Sequence, residues 1–263
     1  MPQLSALSKN LIAARKSCAP LNEFPGTMPA TPEEAYKVQS ECIAGWDDEL
    51  VGWKVAGLRA DLHEQFKAAR QSGPVFKKSL QISNGQDRIF APVYAQGFAA
   101  IEAEFVILLG DVSHLPTSNL TEQDAISAID KIFIGIEIAS SPMKNTHSYG
   151  ALSPICDFGN NAGVIVGPEI TNWKELDLSS INVSVIIGDN EVGNANTKPG
   201  LDGPIGAVAY LIEHLAKRGH TINAGTYISS GAITGAHQTE TGIPSEVTFE
   251  GLGSISLELA SNS

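Results

Sequence analysis

The sequence predicts an α+β fold, a mixed β-sheet curled into a roll or sandwich with a small helical part at the N-terminus. Three observations lead there. Two stretches with helical periodicity open the chain, strand-like runs dominate the remainder, and the last third has hairpin-like spacing rather than regular βαβ alternation. The 263 residues, 43% hydrophobic and 17% charged, suffice for one large domain with a substantial core. A change in texture near residue 75 marks a helical N-terminal part, residues 1–75, and a β-rich part, residues 76–263. No disordered linker separates them, so one continuous domain fits equally well.

Residues 3–17 read as the first helix, because Leu4, Leu7, Leu11 and Ile12 fall at helical spacing. The first 22 residues lack acids and contain Lys9, Arg15 and Lys16, as a transit peptide would, but the amphipathic helix accounts for them and no signal peptide is expected. A second helix comes after a Pro-rich connector. Thr31 is its N-cap, Pro32 its first residue, and Glu34 stands where a capping box needs an acid. Its apolar face is Ala35, Val38, Cys42 and Trp46. "LVGWKVAG" is a strand, residues 61–71 a short helix, and "GPVFKKSL" and "DRIFAPV" extended pieces around the turn "SNGQD". "FAAIEAEFVILLG" and "IFIGIEIASSP" are strong strands. "TEQDAISAIDKIF" between them is a helix capped by Thr121 with Asp124 three residues on. "AGVIVGPEI", "INVSVIIGDNEVGNA", "TYISSGAITG" and "SEVTFEGLGSISLEL" are the remaining strands, and "GPIGAVAYLIEHLAKRG" is a helix stopped by Gly219.

Charge and cysteine content exclude several roles. With 29 acidic and 17 basic residues the formal net charge is −12, so nucleic acid and anionic membranes would be repelled. The three cysteines, Cys18, Cys42 and Cys156, form no CxxC pair and read as reduced thiols of a cytoplasmic protein. No apolar run approaches a membrane span.

Glu102 and Glu104 stand two apart in an otherwise apolar strand, so they point to the same side. Two like charges on a buried face are costly. Three arrangements relieve the cost: a solvated face, a carboxylate pair sharing a proton, or a cation held by both. Glu137 lies alone among the isoleucines of the second strong strand. Were the two strands neighbours, three hard oxygen donors would converge, a set suited to Mg²⁺ or Mn²⁺. Zinc is disfavoured because His63, His114, His147, His214, His220 and His237 are scattered, most of them expected at the surface.

The segments "PEEAYKVQ", "GWKVAGL", "IEAEFVILLG", "GIEIASS", "DFGNNAGVIVG", "PIGAVAYLIEHLAKRGHTINAG", "ISSGAITG" and "EGLGSISLEL" together resemble, in order and spacing, the hydratases and decarboxylases of the fumarylacetoacetate-hydrolase superfamily, typified by 2-keto-4-pentenoate hydratase. The resemblance runs over nearly the whole chain. It implies a fumarylacetoacetate-hydrolase-like fold in which the β-rich part is catalytic, and Mg²⁺ or Mn²⁺ held by Glu102, Glu104 and Glu137. It also implies a small 2-oxo acid substrate and a homo-oligomer, with a complex between related hydratase and decarboxylase as a variant. The pathways implied are those of aromatic-compound catabolism. Lys54 matches the active-site lysine. Ser230, Gly231 and Ala232 match the segment around the substrate carboxylate, and Asp157 and Asn161 match residues near the site, although an Asx turn explains Asp157 as well.

The chain departs from the family pattern at two positions. Pro142 stands where many members have arginine, and Gln71 is the nearest match to an acid implicated in proton transfer. Lys77 and Lys78 read as a solvated strand edge, or as a site for a second substrate carboxylate. The leading expectation is a hydro-lyase acting on a 2-hydroxy-2,4-dienoate or 2-oxo-4-enoate. A 2-oxo-3-enedioate decarboxylase of the 4-oxalocrotonate type is the rival. A hydrolase using His63 and Glu64 and a non-catalytic partner subunit are the further readings.

Overall fold

The computed structural model describes residues 4–262. Helix α1 (Ala6–Ser17) is capped by the Ser5 hydroxyl, which accepts from the Ser8 amide. The expected start at residue 3 lies outside the described residues. Leu11 and Ile12 are buried, as their spacing requires, and so is Arg15. Helix α2 (Pro32–Gly45) is capped by Thr31, whose hydroxyl accepts from the Glu34 amide. The Glu34 carboxylate accepts from Ala30, one residue before the position a capping box uses. Ala35, Tyr36, Gln39 and Cys42 form the buried face, while Val38 and Trp46 are only partly covered.

Strand β1 (Leu50–Gly57) is next. The helix expected over 61–71 is a single turn, α3 (His63–Phe66), entered through a 3-10 turn at Ala60–Leu62. Lys67 takes a left-handed φ of 49° and ends it, and the chain joins β2 (Arg70–Phe76), antiparallel to β1. The texture change near residue 75 therefore falls inside a strand, and β1 and β2 belong to the larger of the two sheets. Next come β3 (Leu80–Ile82), β4 (Ile89–Val93) and the long β5 (Phe98–Leu109). Helix α4 (Glu122–Ser127) has the expected Thr121–Asp124 capping box but stops six residues short of Phe133. Ile129, Ile132 and Ile134 belong to β6 (Ile129–Ser141), where β-branched side chains pack well against β5. Helix α5 (Leu152–Cys156) leads into β7 (Asn161–Glu169). The hairpin β8 (Asn182–Ile187) and β9 (Asn190–Asn196) precedes helix α6 (Pro204–Lys217), closed by Gly219 at φ 73°. Strands β10 (Tyr227–Ser229), β11 (Ala236–Gln238), β12 (Pro244–Phe249) and β13 (Gly253–Ser261) complete the chain.

Two mixed sheets result among the described residues. The large one runs β2-β1-β10-β5-β6-β7-β3, with β11 also paired to β5, and the small one runs β4-β13-β12-β8-β9. Side chains alternate along β5 and β6 between two faces. Ile101, Ala103, Phe105 and Ile107, with Ile132, Ile134, Ile136 and Ile138, enter one continuous core with α6 and with the inner residues of the small sheet. A second apolar cluster joins α1, α2 and α5 to Phe76 and Phe158. The three cysteines are free; Cys42 and Cys156 are buried, and that burial pushes both thiols up to about 12. No helix among the described residues is long and apolar enough to cross a membrane.

Candidate active site

The register of β5 and β6 assembles the acidic cluster. Glu102 pairs directly opposite Glu137, and Glu104 opposite Gly135, so all three carboxylates project from one face. Glu104 and Glu137 are fully buried and Glu102 is 9% exposed. One oxygen from each lies within 4.8 Å of the others. The solvated-face arrangement is thereby excluded.

Each carboxylate has its own setting. Glu137 accepts 3.1 Å from Lys54 Nζ and 3.0 Å from Asn161 Nδ2. One Glu104 oxygen accepts from the Ser229 hydroxyl at 2.5 Å and from the Gly231 amide at 2.9 Å. Its other oxygen, Oε1, is buried with no hydrogen-bond partner among the described residues. Burial first, and then the charge of Glu137, raise the Glu102 carboxyl to about 7, with Lys54 opposing. Burial, then the charges of Glu137 and Glu102, hold Glu104 well above the carboxylate range against Lys54 and the Ser229 hydrogen bond. Burial would lower the Lys54 ammonium, but Glu137, Glu102 and Glu104 outweigh it and keep the lysine protonated. Three carboxylates against one ammonium leave an excess of negative charge that a hard divalent cation would neutralise, and Glu104 Oε1 is a donor with nothing to serve. The donor set fits such an ion.

Lys54 reaches the cluster from β1, where it pairs with Ser229 of β10 and Gly73 of β2. Gly73 is required there, because a Cβ would collide with the Phe158 carbonyl oxygen. Phe158, Gly159 and Asn160 all have left-handed φ, at 55°, 68° and 60°, a strained run for the two that carry side chains. Arg15 clasps both ends of this turn. Its Nε donates to the Asp157 carboxylate in a buried ion pair, Nη2 donates to the Asp157 carbonyl at 2.9 Å, and Nη1 to the Asn161 carbonyl at 2.9 Å. Helix α1 thus fixes the segment from which Asn161 reaches Glu137.

A cavity of about 310 Å³ opens beside the cluster, lined in part by Lys54, Glu102, Gln71, Phe98, His147 and Ala232. A larger cavity, of about 560 Å³, touches Asn161 but is walled by Trp46, Phe76, Tyr94 and Phe158 and holds none of the three glutamates. Only the smaller of these two is lined by Glu102 of the acidic cluster and by Lys54. Of the residues expected at the substrate's carboxylate end, Gly231 serves Glu104 and Ala232 lines the cavity, while the Ser230 amide donates to the Phe105 carbonyl. Asp157 is turned toward Arg15, and its role is to anchor. Lys77 and Lys78 face Glu49 and the Asp47 carbonyl at the surface, away from the cluster. His63 contacts the Leu58 carbonyl and is absent from the cavity wall. Sequence reasoning missed Arg15, which looks like one cation of an amphipathic helix, and His147, which looks like a surface residue.

No protein-family model matches the chain. Curated relatives align end to end. The chain is 26% identical over 263 residues to 4-oxalocrotonate decarboxylase of Pseudomonas putida, covering 97% of this chain and 96% of the relative. It is 24% identical over 259 residues to 2-keto-4-pentenoate hydratase 1 of Dechloromonas aromatica (strain RCB), covering 96% and 94%. Among solved structures it resembles 4-oxalocrotonate decarboxylase from Pseudomonas putida G7, complexed with magnesium and adipate, at a TM-score of 0.78 and 24% identity, covering 99% of this chain and all of that one. Fumarylpyruvate hydrolase from Pseudomonas aeruginosa, in complex with Mn²⁺ and pyruvate, matches at 0.58 and 13%, covering 83% and 94%. The fold is that of the fumarylacetoacetate hydrolases, and the relatives are the hydratases and decarboxylases that the sequence motifs resemble. Both names denote lyases.

Proposed function

We propose that the chain is a metal-dependent hydro-lyase that adds water to a small 2-hydroxy-2,4-dienoate or its 2-oxo-4-enoate tautomer. The observation that carries the reading is the buried Glu102–Glu104–Glu137 cluster opening into a cavity of about 310 Å³. These three residues would hold Mg²⁺ or Mn²⁺, which as a Lewis acid polarises a 2-oxo group and favours its enolate. Lys54 holds Glu137 in place and sets a fixed positive charge where negative charge gathers on the substrate oxygen. Asn161, clasped through Arg15, holds the other Glu137 oxygen. Among the described residues that line the cavity, Lys54 is the one permanent cation, and it is already paired. That wall suits an uncharged far end better than a second carboxylate.

The decarboxylase reading has its own support in the 4-oxalocrotonate decarboxylase relative, which matches as much of the chain as the hydratase does. The two reactions share the enolate and differ in what happens at the far end of the substrate. Purified protein with Mg²⁺ or Mn²⁺ should convert 2-hydroxypenta-2,4-dienoate to a 4-hydroxy-2-oxo acid. Release of CO₂ from 4-oxalocrotonate without hydration would replace hydratase by decarboxylase. No turnover of either substrate would leave a non-catalytic partner subunit. Glu104→Gln tests the metal site independently: divalent-ion affinity, read by calorimetry, should collapse while the fold persists. Unchanged affinity would remove the cluster from the reading. A homo-oligomer in the cytoplasm completes the proposal.

A further inference from the structure

Adding water across a conjugated double bond needs a group that takes a proton from the water and can return one to carbon. The titratable side chains lining the cavity are Lys54 from β1, Glu102 from β5 and His147, from the 3-10 turn Thr146–Tyr149. Lys54 is held as an ammonium against Glu137, and Glu102 belongs to the cation cluster. Gln71 neither gives nor takes a proton near neutral pH. We infer that His147 is the general base for the attacking water, a role that rests on the hydratase reading.

The placement of His147 suits the task. Its turn is pinned from below: Thr146, fully buried, donates from its hydroxyl to Asn160 Oδ1 at 3.2 Å, within the left-handed turn that Arg15 clasps. The ring stands edge-on to Phe98, with centroids 4.9 Å apart at 83°. No hydrogen bond to either ring nitrogen occurs among the described residues. His147 is also exposed to solvent while lining the cavity. Burial of part of the ring, and then the Lys54 charge, lower its pKa from the usual 6.5, so the imidazole is neutral and able to accept a proton at pH 7. Gln71 Oε1, buried and without a partner among the described residues, lines the same cavity and can accept the water's second hydrogen.

The step balances. With the substrate as its 2-oxo-3-enoate tautomer, the water oxygen bonds to C4 while His147 takes one water proton. The C3–C4 π electrons move into the conjugated carbonyl as an enolate. The imidazolium then returns that proton to C3, the carbonyl reforms, and the imidazole is neutral again. One H₂O is consumed, with OH on C4 and H on C3.

The test compares wild type, His147→Gln and His147→Ala with Mg²⁺ and 2-hydroxypenta-2,4-dienoate. Hydration is followed by product formation, and ketonisation separately by deuterium uptake from D₂O at the substrate's terminal carbon. The expected result is a loss of kcat for hydration of about 10²-fold or more. Ketonisation and Mg²⁺ affinity should remain close to wild type, and the acid limb of the kcat/KM pH profile should disappear. Added imidazole should restore part of the activity of His147→Ala. Both variants hydrating within threefold of wild type, with the acid limb intact, would overturn the inference. A wild-type protein that ketonises or decarboxylates but never hydrates would instead defeat the hydratase reading, and the role of His147 with it. Because the ring is part-exposed and makes no hydrogen bond among the described residues, both variants should fold, and a thermal melt checks this.

Discussion

Replacing Arg15 by methionine removes the clasp on the left-handed turn while keeping most of the apolar stem. Arg15 and Asp157 are 5% and 2% exposed, so the pair is dry. The variant would leave a buried carboxylate with no cation, one of whose oxygens already lacks a partner, and would remove the guanidinium donors from the Asp157 and Asn161 carbonyls. Breaking a buried ion pair from one side costs about 3–5 kcal/mol. For a chain of this size that corresponds to a fall in Tm of roughly 6–10 °C. A functional loss should accompany the loss of stability, because Phe158, Gly159 and Asn160 hold left-handed φ only while the turn is restrained. Once it relaxes, the Asn161 amide no longer steadies Glu137, and divalent-ion affinity should drop measurably. The assay is urea unfolding of Arg15→Met, Asp157→Leu and the double variant, with ion titration of each. The cycle should show strong coupling, with the double variant more stable than the sum of the single losses implies. Independent, additive effects of under 1 kcal/mol each would refute the clasp.

Three further outcomes rest on the same geometry. Lys54→Met should lower kcat by about 10²-fold or more. It should not weaken divalent-ion binding, since a competing ammonium is removed from beside Glu137; a normal turnover rate would take Lys54 out of the chemistry. Gly73→Ala should destabilise the fold by about 1–3 kcal/mol and impair activity, because its Cβ meets the Phe158 carbonyl; unfolding by urea beside a rate measurement reads both, and a variant as stable as wild type would contradict the contact. Acid sensitivity should trace in part to His214. Its ring lies between Tyr36 and Tyr210, and burial, then the charge of Arg218, lower its pKa to about 3. The unfolded chain, with an ordinary value near 6.5, binds a proton there that the folded chain refuses. Stability from this group is complete above about pH 6.5 and falls as pH drops toward 3, by up to about 1.4 kcal/mol per unit. Urea midpoints from pH 7.5 to 5 should fall less steeply in His214→Phe, and identical slopes would contradict it.

The parts of the fold legible in the sequence were those with a strong local signal. Strands β5 and β6 announced themselves by apolar length, helices α1, α2 and α6 by periodicity and caps, and the metal-ligand candidates by two-residue spacing on one strand. The misread stretches were those in which tertiary pairing overrode local pattern. Residues 70 and 71 look helical alongside 61–69, yet β1 offers them a partner. Residues 129–133 continue a capped helix in composition, yet pair with β5. Arg15 was invisible for a different reason: the groups that it binds lie 125 to 146 positions away. His147 carries no motif, and only its place beside Phe98 and Lys54 distinguishes it from the other histidines.

The direct Glu102–Glu137 pairing has a consequence for how the molecule could fail. A slip of β5 by one residue against β6 would turn the glutamates into the isoleucine core and expose Ile101, Ala103 and Phe105 in their place. Such a chain could not stay folded. Folding therefore proofreads the site: any molecule that survives with these two strands joined carries its carboxylates on the correct side. A preparation that is monomorphic by unfolding should accordingly contain no dormant fraction arising from misaligned strands, and incomplete activity in it would have to come from incomplete metal loading or from chemical damage.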